Sequence, residues 1–324
     1  MNTLMTLFLE NDRELKNGFM WEQSIVKKNV AFQLANKNQR VHLNEVKAMV
    51  DYMKKNTSAF SYFRQSLFPI AALLTTHKDS RQIFDLTVQY YDRLKEHFRR
   101  SPYLPYVAFF LASETKPAEA DQTIEKAAQF YKLMKEKHFW LTSDDDYMFA
   151  VLLANSDTDI SHIVHEMTEC YLYLNERGIR KGNALQTMSH ILSLSDEPVY
   201  KKCDRLLEFE QLLKNEKIKL DSYTRSLLAI LSIVESNVQA TVNKIVATDN
   251  TLASQSGFGN WSLSRAGRNM FSIALTISDD LQKTQADTLQ ATIQNSIQSL
   301  LLAQQTAMTA SIAVTSASSN SSSD

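Results

Sequence analysis

An apolar residue returns about every forty positions along this chain, and that recurrence restricts the fold more than any other feature. One series runs through Leu34, Leu74, Leu111, Leu153, Leu192, Leu231 and Met270. A second runs half a period out of step, through Met53, Leu94, Met134, Leu174, Leu213 and Leu252, at spacings of 41, 40, 40, 39 and 39 residues. Two interleaved series imply two elements per repeat. Between these markers apolar residues fall three or four apart, as in Phe84, Val88, Tyr91 and Leu94, or Ile124, Ala127, Ala128, Tyr131 and Met134. That is the period of a helix with one apolar stripe. The repeat is therefore a helical hairpin, whose stripe is buried only when hairpins stack on one another.

Composition agrees with an all-α chain. Of 324 residues, 44% are hydrophobic and 10% aromatic, enough for a large core, while five prolines and six glycines are too few for the turns of a sheet protein. The expected architecture is an α-α superhelix, or solenoid, of about six to seven hairpins. A leading helix is expected over residues 1–19, the hairpins over 20–284, a low-charge C-terminal helix over 285–317 and a serine-rich tail over 318–324. Ser101, Ser143, Asn183, Ser222 and Ser262 recur with the same period and read as helix N-caps, with Pro102 in a first turn.

From Thr288 to Ser323 the sequence contains no Asp, Glu, Lys or Arg. The stretch is long enough to cross a bilayer, but Gln298, Gln304 and Gln305 would be costly there, so a membrane role is not expected. A helix that caps the stack or pairs with a second copy fits better, which makes a homo-oligomer possible. The N-terminus has neither a basic nor a long apolar region of the kind that directs secretion. Cys170 and Cys203 fall inside helical segments and read as free, buried thiols. A cytoplasmic location is expected.

Few residues suggest chemistry. Asp144, Asp145 and Asp146, followed by Tyr147, form the densest acidic cluster; carboxylates so placed can do acid–base work, and they also complement the start of a helix. His162 and His165 lie three apart on one helix, but nothing nearby completes a metal site, and no metal or other cofactor is expected. The glycine-containing turn from Gly257 to Ser262 includes Trp261, and an earlier turn of the same kind includes Trp140; both tryptophans read as groove-filling or partner-contacting residues. Nucleophile elbows, nucleotide-binding fingerprints and zinc or calcium spacings do not occur.

Charge placement gives the sharper hint. Turns that lead into a new hairpin hold Arg99, Arg100, Arg180 and Lys181, with Arg177, Lys217 and Lys219; the turns within hairpins hold Glu114, Asp121, Asp196, Glu197 and Asp280. Stacked hairpins place these two sets on opposite edges, one basic and one acidic. The formal net charge is −1, so nucleic acid is not an expected partner, and an acidic protein partner for the basic edge is.

Taken in order, HFWLTSDDDYMFAVLL, GFGNWSLSRAGRNMF and LLLAQQTAMTASIAVTSASS resemble a family of bacterial proteins, mostly from Firmicutes, catalogued as domain of unknown function 4003. The likeness covers nearly the whole chain. It implies a cytosolic bacterial protein whose low-charge C-terminus belongs to the folded unit or its assembly, and it brings no activity, cofactor or catalytic residue. The residues thus point to a macromolecule-binding scaffold that uses its concave face or basic edge, with Arg99, Arg100, Trp140, Arg180, Lys181 and Trp261 as contacts. Two other readings stay open: a hydrolase or transferase on a closed α/α toroid with Asp144–Asp146 and Tyr147 at its mouth, and an assembly built on the C-terminal helix.

Overall fold

The computed structural model describes residues 3–137, 142, 144–154, 159–259 and 262–283. Helix is the only regular structure among them, without any strand. The helices are α1 (Thr3–Gly18), α2 (Ser24–Asn36), α3 (Leu43–Lys55), α4 (Leu67–Leu74), α5 (Ser80–His97), α6 (Leu104–Glu114), α7 (Ala120–Lys137), α8 (Tyr147–Ala154), α9 (Ile160–Glu176), α10 (Asn183–Leu192), α11 (Val199–Asn215), α12 (Ser222–Val234), α13 (Val238–Ala253) and α14 (Arg265–Lys283). Each marker of the two leucine and methionine series lies on its own helix, in chain order from α2 to α14, and every one is buried. The predicted C-terminal helix and tail lie outside the described residues.

The chain divides into two compact units, one formed by residues 3–132 with 144–154, the other by 133–137, 142, 159–259 and 262–283. In both, odd- and even-numbered helices are built differently. Odd-numbered helices carry the predicted single stripe: α5 buries Phe84, Thr87, Tyr90, Tyr91 and Leu94, and α9 buries Ile163, Val164, Met167, Cys170, Tyr171 and Leu174. Even-numbered helices are enclosed over their central turns. All residues from Val26 to Ala35 in α2, from Leu104 to Ala112 in α6 and from Asn269 to Ser278 in α14 are buried. Their sequences, such as PIAALL and PYVAFFLA, are continuously apolar rather than periodic. The equal amphipathic hairpins expected from the sequence are thus unequal pairs, one helix inside and one outside.

Enclosure forces polar groups of the inner helices to find partners. Lys28 on α2 donates to both Asp12 oxygens on α1, at 2.9 and 2.7 Å. Asn11 clasps the next turn, donating from Nδ2 to the Gln39 carbonyl and accepting from the Val41 amide. In the second unit, Asp249 on α13 accepts from Arg268 Nε, Asn269 Nδ2 and Ser272 Oγ on α14, at 2.9, 2.6 and 3.1 Å. These bonds hold hairpins at fixed register.

Helix starts differ from the expected caps. Tyr103, not Ser101, precedes α6, and the tolerated proline of its first turn is Pro105 rather than Pro102. Ser101 is buried. Asn183 and Ser222 are the first helical residues, preceded by Gly182 and Asp221; the Asp221 carboxylate accepts from the Thr224 amide at 2.8 Å. Ser264, not Ser262, accepts from the Gly267 amide. Ser143 lies outside the described residues. Asp and a neighbouring Ser cap equally well, so the choice falls to tertiary geometry.

Candidate basic groove

A helix-ending turn builds a site that gathers four cations. At the end of α9, Gly178 adopts φ +92°, and the Ile179 amide bonds back to the Leu174 carbonyl at 3.1 Å. The same closure recurs after α11, where Lys217 adopts φ +59° and the Ile218 amide reaches the Leu213 carbonyl at 2.9 Å. A left-handed residue followed by an aliphatic one is the Schellman ending of a helix. In the first turn, Ile179 lies against the helices and Arg180 stands exposed beyond it.

Arg180 lines a groove of about 780 Å³ together with Arg177, Lys214 and Arg225, over a partly aliphatic floor that includes Ile179 and Leu207. Two carboxylates, Glu208 and Glu210, also line it. Glu210 is buried and accepts from Lys214 Nζ at 2.9 Å and Arg225 Nε at 3.1 Å, so one carboxylate serves two cations. Arg177 stacks on the Tyr173 ring at 3.4 Å and lies 3.6 Å from Asp204. Arg180 has no ion pair among the described residues, nor have Lys181, Lys217 and Lys219. The site therefore holds surplus positive charge over an apolar surface.

Several acidic turn residues are neutralised. Glu114 pairs with Lys37, Glu119 with Lys116, Asp121 with Arg93 and Asp280 with Lys244. Glu197 receives both Arg205 guanidinium nitrogens at 2.8 and 2.9 Å, with Lys201 at 3.0 Å. Hydrogen bonding from Arg205 holds its carboxyl down at about 2. Among the described residues Asp79, Asp159 and Asp196 have no ion pair, so pairing covers most but not all of the acidic turn residues, while several basic ones have none.

Other sequence candidates are dispersed. Arg99 and Arg100 stand exposed between α5 and α6 in the first unit, and among the described residues neither has an ion pair. Trp140 and Trp261 lie outside the described residues. Asp144–Asp146 form a 3₁₀ turn that feeds α8, and Asp144 accepts from the Tyr147 hydroxyl at 2.8 Å. Tyr147 is buried against Phe98 and Tyr131, with ring centroids 4.8 and 4.9 Å away. Burial, reinforced by Asp144, raises its hydroxyl pKa, and burial raises that of Tyr131 to about 12. Both phenols keep their protons at neutral pH, and that of Tyr147 is donated to Asp144. His162 and His165 are exposed, and the described residues contain no group of three or more side chains able to hold a metal.

Sequence reasoning missed Arg225 and Glu210, because neither lies on a turn; only their placement one helix apart brings them to Arg180. It also missed Lys202, fully buried on α11, whose Nζ donates to Glu166 on α9 at 2.8 Å and to the Ser195 carbonyl at 2.7 Å.

Paired inner and outer helices with cationic turns define an all-α protein of helical hairpins. The chain belongs to the family described as Protein of unknown function (DUF4003), which matches residues 11–306. A relative, the uncharacterized protein YeaA of Bacillus subtilis (strain 168), is 23% identical over 278 residues, covering 83% of this chain and 81% of the relative. No solved structure matches the chain. No described helix is long and apolar enough to cross a membrane.

Proposed function

We propose that this is a cytoplasmic binding protein, built as an α-α superhelix, that captures an acidic segment of a protein partner in the groove between the turns after α9 and α11. The free Arg180 carries the reading: it borders an aliphatic-floored groove among three other cations, while several acidic turn residues, Glu114 and Asp280 among them, already have cationic partners. Enclosure of the inner helices leaves only their ends, such as Ala184 and Arg225, open to a partner, so contact passes to turns and helix ends rather than to a concave helical face. Buried, unpaired thiols at Cys170 and Cys203 fit a reducing compartment.

A labelled peptide alternating Asp or Glu with Leu or Val tests this by fluorescence anisotropy. Rim charges act mainly through salt-screened attraction, so raising salt from about 0.05 to 0.5 M and the variant Arg180→Glu with Lys181→Glu should each weaken binding about tenfold. Binding indifferent to both salt and charge reversal would sink the reading.

A further inference from the structure

The first unit displays large apolar side chains outward on two braced turns, and we infer that this edge docks on the surface of an anionic lipid bilayer. Trp21 is 97% exposed, Met20 73% and Phe60 99%. Exposed single apolar residues are ordinary. These are held out by built structure. Phe19, next to Met20, stacks on Phe68 at 4.5 Å, and its carbonyl accepts from Lys27 Nζ at 3.1 Å and from the Glu22 amide. The loop bearing Phe60 is clamped by Arg64, whose Nη2 donates to the Lys54 and Thr57 carbonyls at 2.7 Å and whose Nε donates to Ser58 O at 3.2 Å. Three carbonyls on one guanidinium fix the tip at which Phe60 points away from the protein.

The Phe19–Phe68 contact brings the two turns together, because Phe68 lies in the first turn of α4, one short 3₁₀ turn (Tyr62–Gln65) after the Phe60 loop. A third turn continues the edge. Phe63, from the same loop, packs on Tyr91 at 5.0 Å, and Arg100 interacts electrostatically with that tyrosine. Exposed Lys16, Lys54, Lys55, Arg99 and Arg100 flank the apolar tips, opposed within the three turn segments only by Glu22 and Glu96. None of those five cations has an ion pair among the described residues.

Chemistry favours a bilayer over a protein here. Fully protruding rings would need matching deep pockets in a protein partner, whereas the interfacial layer of a membrane accepts Trp and Phe without a preformed shape. Flanking Lys and Arg add attraction to anionic headgroups, each worth about fivefold in affinity. The inferred contact is interfacial, since no described helix is long and apolar enough to cross the membrane.

Flotation of the full chain with phosphatidylcholine vesicles containing phosphatidylglycerol, and with phosphatidylcholine alone, tests the inference. Expected is association with the anionic vesicles, at least about tenfold stronger than with neutral ones. Trp21→Ala with Phe60→Ala, at positions too exposed to support the fold, should lower that association about tenfold or more, and Arg99→Glu with Arg100→Glu should do the same. Absence of flotation with anionic vesicles, or equal flotation of the Trp21/Phe60 variant, overturns it.

Discussion

Glu197 shows how one side chain ties acidity to folding. Its carboxylate is held by Arg205 and Lys201, and Arg205 also donates to the Ser232 carbonyl, so one guanidinium joins the α10–α11 turn to α12. With a folded pKa near 2 against an ordinary value of 4.5, the group favours the folded state above pH 4.5. That contribution is lost as pH falls through the interval from 4.5 to 2. Glu197→Gln should therefore unfold at a lower temperature than the native chain at pH 7, and the gap should close as pH is lowered across that interval. Because the carboxylate is partly exposed, the gap will be smaller than the full shift implies. Thermal melts of both proteins at matched pH values check this. A gap that persists unchanged at pH 2 would mean that packing, not charge, is lost.

Between helices, the decisive contacts are buried ions that single out one neighbour. Lys202 is 0% exposed and reaches Glu166 and Ser195, which ties α11 to α9 and to the turn before it. Lys202→Met removes one member of a buried pair and strands the other, at an expected cost of about 3 kcal/mol measured by denaturant unfolding. Adding Glu166→Leu should restore part of the loss, since no carboxylate is then left unpaired. These ties also mark the limit of what the sequence conveys. Helix number and order were legible, because Leu34 through Met270 and Met53 through Leu252 each mark one helix. The separation into enclosed and amphipathic helices was legible only in hindsight, from the runs at PIAALL and PYVAFFLA, since a short apolar run has no period to read. Lys202 and Asp249 look like surface residues in the sequence. Their burial depends on partners 36 and 19 to 23 positions away, and no local pattern encodes which helix face meets which. For the candidate site, Arg180 was legible as a turn cation, while Arg225 and Glu210 needed the packing of α11 and α12.

At the scale of the molecule, a net charge of −1 does not describe how charge is arranged, and a local cluster of cations can engage an anionic surface that the average charge would not attract. Pairing removes equal positive and negative charge and leaves the sum unchanged, but groups separated by more than a Debye length of about 10 Å are screened from one another, so a charged surface senses each local cluster rather than the sum. Acidic turn residues such as Glu114, Glu119, Asp121 and Asp280 have cations beside them, whereas Arg99, Arg100 and Arg180 have no ion pair among the described residues. The protein should then be retained by a sulfonate cation exchanger at pH 7 despite its slight negative charge. Reversing Arg99, Arg100 and Arg180 to Glu changes the net charge by the same amount as reversing the exposed, helix-borne Lys47, Lys132 and Lys135 to Glu. If net charge governs, both triple variants elute at the same lower salt. If the free cations of the turns govern, the arginine variant elutes first and the lysine variant keeps most of its retention. Elution in one salt gradient therefore separates a charge count from a charge arrangement.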